Sequence, residues 1–381
     1  MGIRYDQCPT KLTTYQFDVN CRFPPLQRCT LSSAKKLSEE IARGLKHALP
    51  QLRKTLHNKL PLAIAAMLEA QTANTIELAN HLPLEVERSD MREQWLRRLL
   101  CNELLCSEQV LEPFGRRALR LASSHGQTIQ LSLDQTDIGN RFAILMVSVR
   151  VGDRALPLAW HVEAGAANIG FAEQQVLLER VLAWLPSSAS VMLSADRFYP
   201  SGGLIGWLQQ QRWHYRVRLK SNFQVDLGRA ELTTTGALAQ GHPERYETDV
   251  MLFASGVLTH VGILHEAGHA EPWIIAMDTR PTRAKVLDYA SRWSIEPMFS
   301  DFKSRGFGLQ QTQLTDPERL SRLLLIMALA MYWCVWTGYE DSLHHPTPIE
   351  KKPDNKPTLS TGAFAKPIAV PCHALSAAYD C

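Results

Sequence analysis

The sequence lacks the marks of several protein classes. Its eight cysteines (residues 8, 21, 29, 101, 106, 334, 372 and 381) include no C-x-x-C pair, and at this length that argues against a disulfide framework. No signal peptide is read near the start, where Arg4, Asp6 and Lys11 interrupt any apolar run. The longest apolar stretch, Leu323–Gly338, has 16 residues, short of the ~20 that a membrane span needs. It is expected to be a buried helix in a cytoplasmic protein with reduced thiols and no membrane partner. An excess of one charge is also missing: 41 Lys and Arg against 38 Asp and Glu leave +3, so overall balance commits to no partner. There are no internal repeats.

What is present is an ordinary globular composition, 45% hydrophobic and 21% charged, which excludes wholesale disorder and supplies a core. A length of 381 residues suits two or three domains. Charge is uneven, with 11 Lys/Arg against 4 Asp/Glu in residues 1–60. Such local basicity fits either a polyanion or a solvated basic face.

Residues 1–125 read as a helical domain. Two of its helices, Leu60–Glu69 and Thr75–Leu82, flank Gln71–Asn74 in an arrangement open to both a DNA-reading helix-turn-helix and a plain helical hairpin. Arg92, Arg97, Arg98, Arg116, Arg117 and Arg120 add basic side chains on later helices. From residue 126 to 219 the pattern becomes three strands, helix, strand, helix, strand, the element order of a ribonuclease H-like α/β sheet. Residues 220–282 read as a β-rich insertion and 283–343 as the C-terminal helical part of the core. A Pro-rich flexible tail, 344–381, follows.

Asp134 and Asp196 are placed at the ends of the first and fourth strands. Strand ends in an α/β sheet border the crevice where ligands bind. Two carboxylates there repel unless a cation joins them, and hard oxygen ligands favour Mg²⁺ or Mn²⁺. Asp137 is the nearest rival to Asp134, and each Asp could instead merely cap a helix or stabilise a turn. A third carboxylate, Glu296, lies in the segment Tyr289–Lys303. At about 100° per residue, Tyr289, Arg292, Glu296 and Lys303 fall in one 60° stripe of a helix. Pro297 should kink or restart that helix.

These residues carry a resemblance. Tyr289, Arg292, Glu296 and Lys303 fill Y-x₂-R-x₃-E-x₆-K, and with LSLDQTDI, SADRFYPS and RWSIEPMFSDFKSRGFGL the chain resembles the DDE transposases of bacterial cut-and-paste insertion sequences over roughly Leu131–Gly338. The resemblance implies a polynucleotidyl transferase with two Mg²⁺ or Mn²⁺ ions, which cuts the terminal inverted repeats and joins the freed 3′-OH to target DNA. Asp134 would bridge the ions, and Asp196 and Glu296 would each hold one. Tyr289, Arg292 and Lys303 would grip the end strand, and a homodimer would pair two ends. Relatives can pass through a DNA hairpin with a flipped base, for which Trp160, Trp273 and Trp293 are the stacking candidates. Arg218 and Lys220 alternate on one strand face and are further candidates to approach DNA.

Two competing readings remain at this level. His265, Glu266 and His269 match H-E-x-x-H, a zinc-peptidase pattern that needs a helix, whereas the flanking strand-like residues and Gly268 suggest a hairpin loop. The chain could also be a catalytically inactive DNA-binding protein of transposase descent.

Overall fold

The computed structural model describes residues 34–152, 154–166, 168–228, 232–266 and 270–344. Residues 1–33, His269 and the Pro-rich tail after residue 344 lie outside them, as do five of the cysteines.

Five helices come first: α1 (Ala34–Ala48), α2 (Lys54–Ala70), α3 (Thr75–Asn80), α4 (Ser89–Leu100) and α5 (Ser107–Ala122). The two helices read on either side of Gln71–Asn74 are both present. Gln71 ends α2 in the left-handed conformation, with φ 51° and its N–H on the Met67 carbonyl. Asn74 then caps α3 by accepting the Ile76 N–H.

Strands β1 (Ile129–Ile138), β2 (Phe142–Val151) and β3 (Arg154–Ala164) form an antiparallel meander. Gly139 and Gly152 make its turns at positive φ, 53° and 65°, a conformation that glycine adopts without steric cost. Helix α6 (Phe171–Trp184) leads to β4 (Val191–Ala195), and α7 (Gly202–Gln210) leads to β5 (His214–Arg218). Both of these strands join in parallel, beside β1 and β4 respectively. Every position of β2 except Arg150 is buried, so this part of the mixed sheet is covered on both faces.

The segment expected to be an insertion is indeed strand-rich. It contains β6 (Gln224–Asp226), β7 (Leu232–Thr234), α8 (Thr235–Ala239), β8 (Glu244–Leu252), β9 (Val257–Leu264) and β10 (Trp273–Met277). It does not form a separate layer. β10 pairs antiparallel with β5, giving one ten-stranded sheet in the order β3-β2-β1-β4-β5-β10-β9-β8-β6-β7. The free backbone edge of β5 is thereby satisfied by the very segment inserted after it.

The chain closes with α9 (Arg283–Leu287), a 3-10 stretch (Asp288–Ser294), α10 (Ile295–Ser300), a π turn (Asp301–Arg305) and α11 (Pro317–His344). By length and composition α11 could cross a membrane, yet 83% of its apolar window is buried within the protein. It is the buried helix read from Leu323–Gly338, extended at both ends. Tyr332 of α11 donates to the Pro157 carbonyl of β3 (3.1 Å), and Arg322 donates to the Leu100 carbonyl of α4 (3.1 Å). Buried side chains of α1–α5, the sheet and α11 share one continuous core.

Candidate active site

Parallel pairing of β1 with β4 runs from Ile129↔Val191 to Leu133↔Ala195. The next residue on each strand is an aspartate, Asp134 and Asp196. Asp134 is not at a strand end: β1 continues to Ile138 against β2, while β4 stops at Ala195. The opening therefore lies where β4 falls away from its neighbour, with both carboxylates at its edge. Asp137, the alternative to Asp134, is exposed and accepts from Gln135 Nε2 (2.9 Å).

The third acid arrives on the segment after β10. Pro297 does not break this segment: it falls in the first turn of α10, which begins at Ile295, and a proline is tolerated there. The backbone instead passes from 3-10 to α to π geometry. A single 60° stripe is consequently not realised: Tyr289 and Arg292 are buried, Glu296 is exposed and Lys303 is half-buried. Each turn type advances the side chains by a different angle.

Tyr289, Arg292 and Glu296 nevertheless meet the two aspartates. The Tyr289 hydroxyl donates to Asp196 Oδ1 (3.1 Å). Arg292 donates from Nη1 to Asp134 Oδ2 (2.7 Å) and from Nη2 to Glu296 Oε1 (3.0 Å). The Tyr199 hydroxyl (3.2 Å) and the Gln135 N–H (2.9 Å) complete the shell of Asp134 Oδ1. Arg292 is only 6% exposed, and its buried Nε has no hydrogen-bond partner.

Burial pushes the Asp134 carboxyl up to about 6, with Asp196 nearby adding to the effect; Arg292 and the Gln135 N–H oppose it. Burial also raises the hydroxyls of Tyr199 and Tyr289, so both stay neutral donors near neutral pH. The Asp134 shift has a measurable sign. The folded protein holds this proton more tightly than the unfolded chain, so the stabilisation is present below the ordinary carboxylate range and lost as pH rises through 6. Between pH 5 and pH 7.5 the loss is about 1.4 kcal/mol. Denaturant unfolding of the metal-free protein should show that decline, and Asp134→Asn should flatten it. An unchanged slope in the variant would assign the decline to another group.

The oxygen chemistry of these acids suits Mg²⁺ or Mn²⁺. Among the described residues, however, no three of His, Cys, Asp and Glu stand grouped for a metal. The cation between Asp134 and Glu296 is the Arg292 guanidinium.

The other sequence candidates divide. Arg218 faces Glu271 (3.4 Å) and acts electrostatically on the Tyr289 hydroxyl, so it borders the cluster. Lys220 lies over the Phe198 ring. Lys303 forms no ion pair among the described residues. Trp160 occupies the same cross-strand row as Asp134, through Met146, but it is 6% exposed and its indole N–H donates to Ser321 (2.9 Å). That commits it to the core and corrects its reading as a base-stacking side chain. Trp273 is buried too, edge-on to both Tyr289 and Trp293. Only Trp293 presents an exposed face, at 43%.

The zinc-peptidase pattern finds no helix at its start. His265 and Glu266 follow strand β9, the His265 N–H is on the Pro243 carbonyl (2.7 Å), and Glu266 accepts from Arg283 (2.6 Å). Sequence reading missed Tyr199, whose only signal was its place three residues after Asp196.

A family model described as a transposase DDE domain matches residues 123–333, a span that contains all three acids, the meander and the strands inserted before Glu296. No curated protein matches the chain.

Proposed function

We propose that this chain, which belongs to the family of transposases with a DDE domain, cuts the ends of an insertion sequence and joins their 3′-OH groups to target DNA. The observation that carries this reading is that Arg292 joins Asp134 and Glu296, 162 residues apart in sequence, while Tyr289, three residues before Arg292, holds Asp196. Strand order 3-2-1-4-5 in the first half of the sheet supports a ribonuclease H-like core, with helices α1–α5 as its DNA-binding partner.

Asp134, Asp196 and Glu296 would be the residues to hold Mg²⁺ or Mn²⁺. Such ions activate a water against the scissile phosphate and stabilise the departing 3′-oxygen. The protein's own groups prepare that chemistry. Tyr289 fixes the Asp196 carboxylate, and Tyr199 with the Gln135 N–H fixes that of Asp134. Arg292 keeps the acids together in the free protein. Once it turns to a phosphate of the bound end, a contact for which a guanidinium fork is suited, Asp134 and Glu296 are released to accept metal. Lys303, half-buried and without an ion pair among the described residues, adds a phosphate contact, and Trp293 is the stacking candidate that stays accessible. A cytoplasmic homodimer that brings two ends together completes the proposal.

The test is strand cleavage on a duplex carrying the inverted repeats that flank the encoding gene. Mg²⁺-dependent cleavage that leaves 3′-OH termini is the expected result, and its absence under conditions of demonstrated binding would overturn the reading. Lys303→Ala should reduce the slope of log affinity against log salt by about 0.9, the value of one lost phosphate contact. An unchanged slope removes Lys303 from the interface.

A further inference from the structure

One cluster at the rim of the acids is not used by the chemistry above. The turn after β4 places four consecutive side chains in opposite settings. Asp196 and Tyr199 join the buried network, whereas Phe198 between them is 52% exposed. Cations already attend it: the Lys220 ammonium lies 4.9 Å and the Arg197 guanidinium 5.8 Å from the ring centroid. Both are within the range of a cation–π contact.

The cations are themselves arranged. Arg197 (2.7 Å) and Arg218 (3.4 Å) both reach Glu271 Oε2, a carboxylate on the connection before β10. Glu271 thus ties the turn bearing Asp196 to the strand that leads into the Tyr289–Glu296 segment. The result is a ring flanked by Arg197 and Lys220, with Arg218 held to the same Glu271, two residues from a metal-ligand candidate. An aromatic face among cations is the combination that binds single-stranded nucleic acid, the ring stacking a base and the cations taking adjacent phosphates. Stacking there needs no particular base, because every base offers a π face.

We infer that Phe198 is a stacking platform for the nucleobase next to the scissile phosphate, with Arg197 and Lys220 exchanging their ring contacts for the flanking phosphates. This rests on the DNA-cleaving reading. It adds a contact made on the turn of Asp196, away from the Tyr289–Lys303 segment. The ring also serves as a gauge of strand position, since a base seated on it fixes which phosphate faces Asp196.

The experiment is a walk of 2-aminopurine through the five nucleotides around the cut, in the flanking-repeat duplex, with chelator present so that no cleavage occurs. In the wild-type protein the fluorescence of one position should change several-fold on binding, as its base leaves the duplex stack for the ring. Phe198→Ala should alter that response and slow Mg²⁺-dependent cleavage roughly tenfold, the worth of one stacked base; Phe198→Trp should restore cleavage. A fluorescence response that is unaltered in Phe198→Ala, at every position, overturns the platform while leaving the cleavage reading intact. A duplex that the wild type neither binds nor cuts overturns both. Because Phe198 is half-exposed, circular dichroism should show the variants folded.

Discussion

Asp134→Asn, Asp196→Asn and Glu296→Gln should each lower Mg²⁺-dependent strand cleavage by about a thousandfold or more, while end binding changes little. Each substitution keeps the side-chain volume and removes one negative oxygen ligand. The loss corresponds to about 4 kcal/mol of transition-state stabilisation, the scale expected when an ion is displaced from a developing charge. The three are not equivalent in the free protein. Asp134 is half-buried and linked to Arg292, Tyr199 and the Gln135 N–H, so its replacement also disturbs the cluster. Glu296 has a side chain 57% exposed and held by Arg292, so Glu296→Gln should leave the fold unaltered. A gel assay with wild-type and variant proteins decides the matter: cleavage persisting in any one of them removes that acid from the site.

Arg292→Gln should have the second-largest effect, in two opposite directions. In metal-free protein it strips the half-buried Asp134 of its ion pair, and breaking such a pair costs about 3 kcal/mol. The penalty should shrink toward pH 5, where Asp134 takes up a proton instead. Affinity for Mn²⁺ in the absence of DNA should rise about tenfold, because the ion no longer competes with a tethered cation for Asp134 and Glu296. Unfolding by denaturant at pH 8 and pH 5, together with a titration of free Mn²⁺ by electron paramagnetic resonance, measures both. Equal Mn²⁺ affinity in wild type and variant would mean that Arg292 does not stand in the ions' way.

Much of this site was legible before any coordinates, for identifiable reasons. Alternation of apolar residues around Leu131 and an apolar run around Leu193 betray β1 and β4, and parallel pairing then carries Asp134 and Asp196 side by side. The spacing from Tyr289 to Glu296 covers two turns, short enough to survive a change of helix type. Lys303 lies beyond Pro297 and the π turn, and there the assumption of 100° per residue fails. Trp160 misled because an indole on a strand looks alike whether it faces a groove or a helix; only the position of α11 decides, and that is a contact across some 160 residues. The fate of the strands from 224 to 277 was hidden likewise, since strand periodicity says which face is buried and nothing about which edge is joined. Phe198 escaped notice because exposure of a single aromatic leaves no pattern in a sequence.

The pairing of β10 with β5 has a temporal consequence. Residues 283–300 leave directly from β10, and β10 is held between β5 and β9. Glu296 thus cannot take its place until the hairpin of β9 and β10 has docked against a strand made about 60 residues earlier. Links so distant along the chain form slowly. A polypeptide still emerging from the ribosome therefore carries two of the acids long before it can assemble all three, and the cutting centre ripens only when most of the protein has been made.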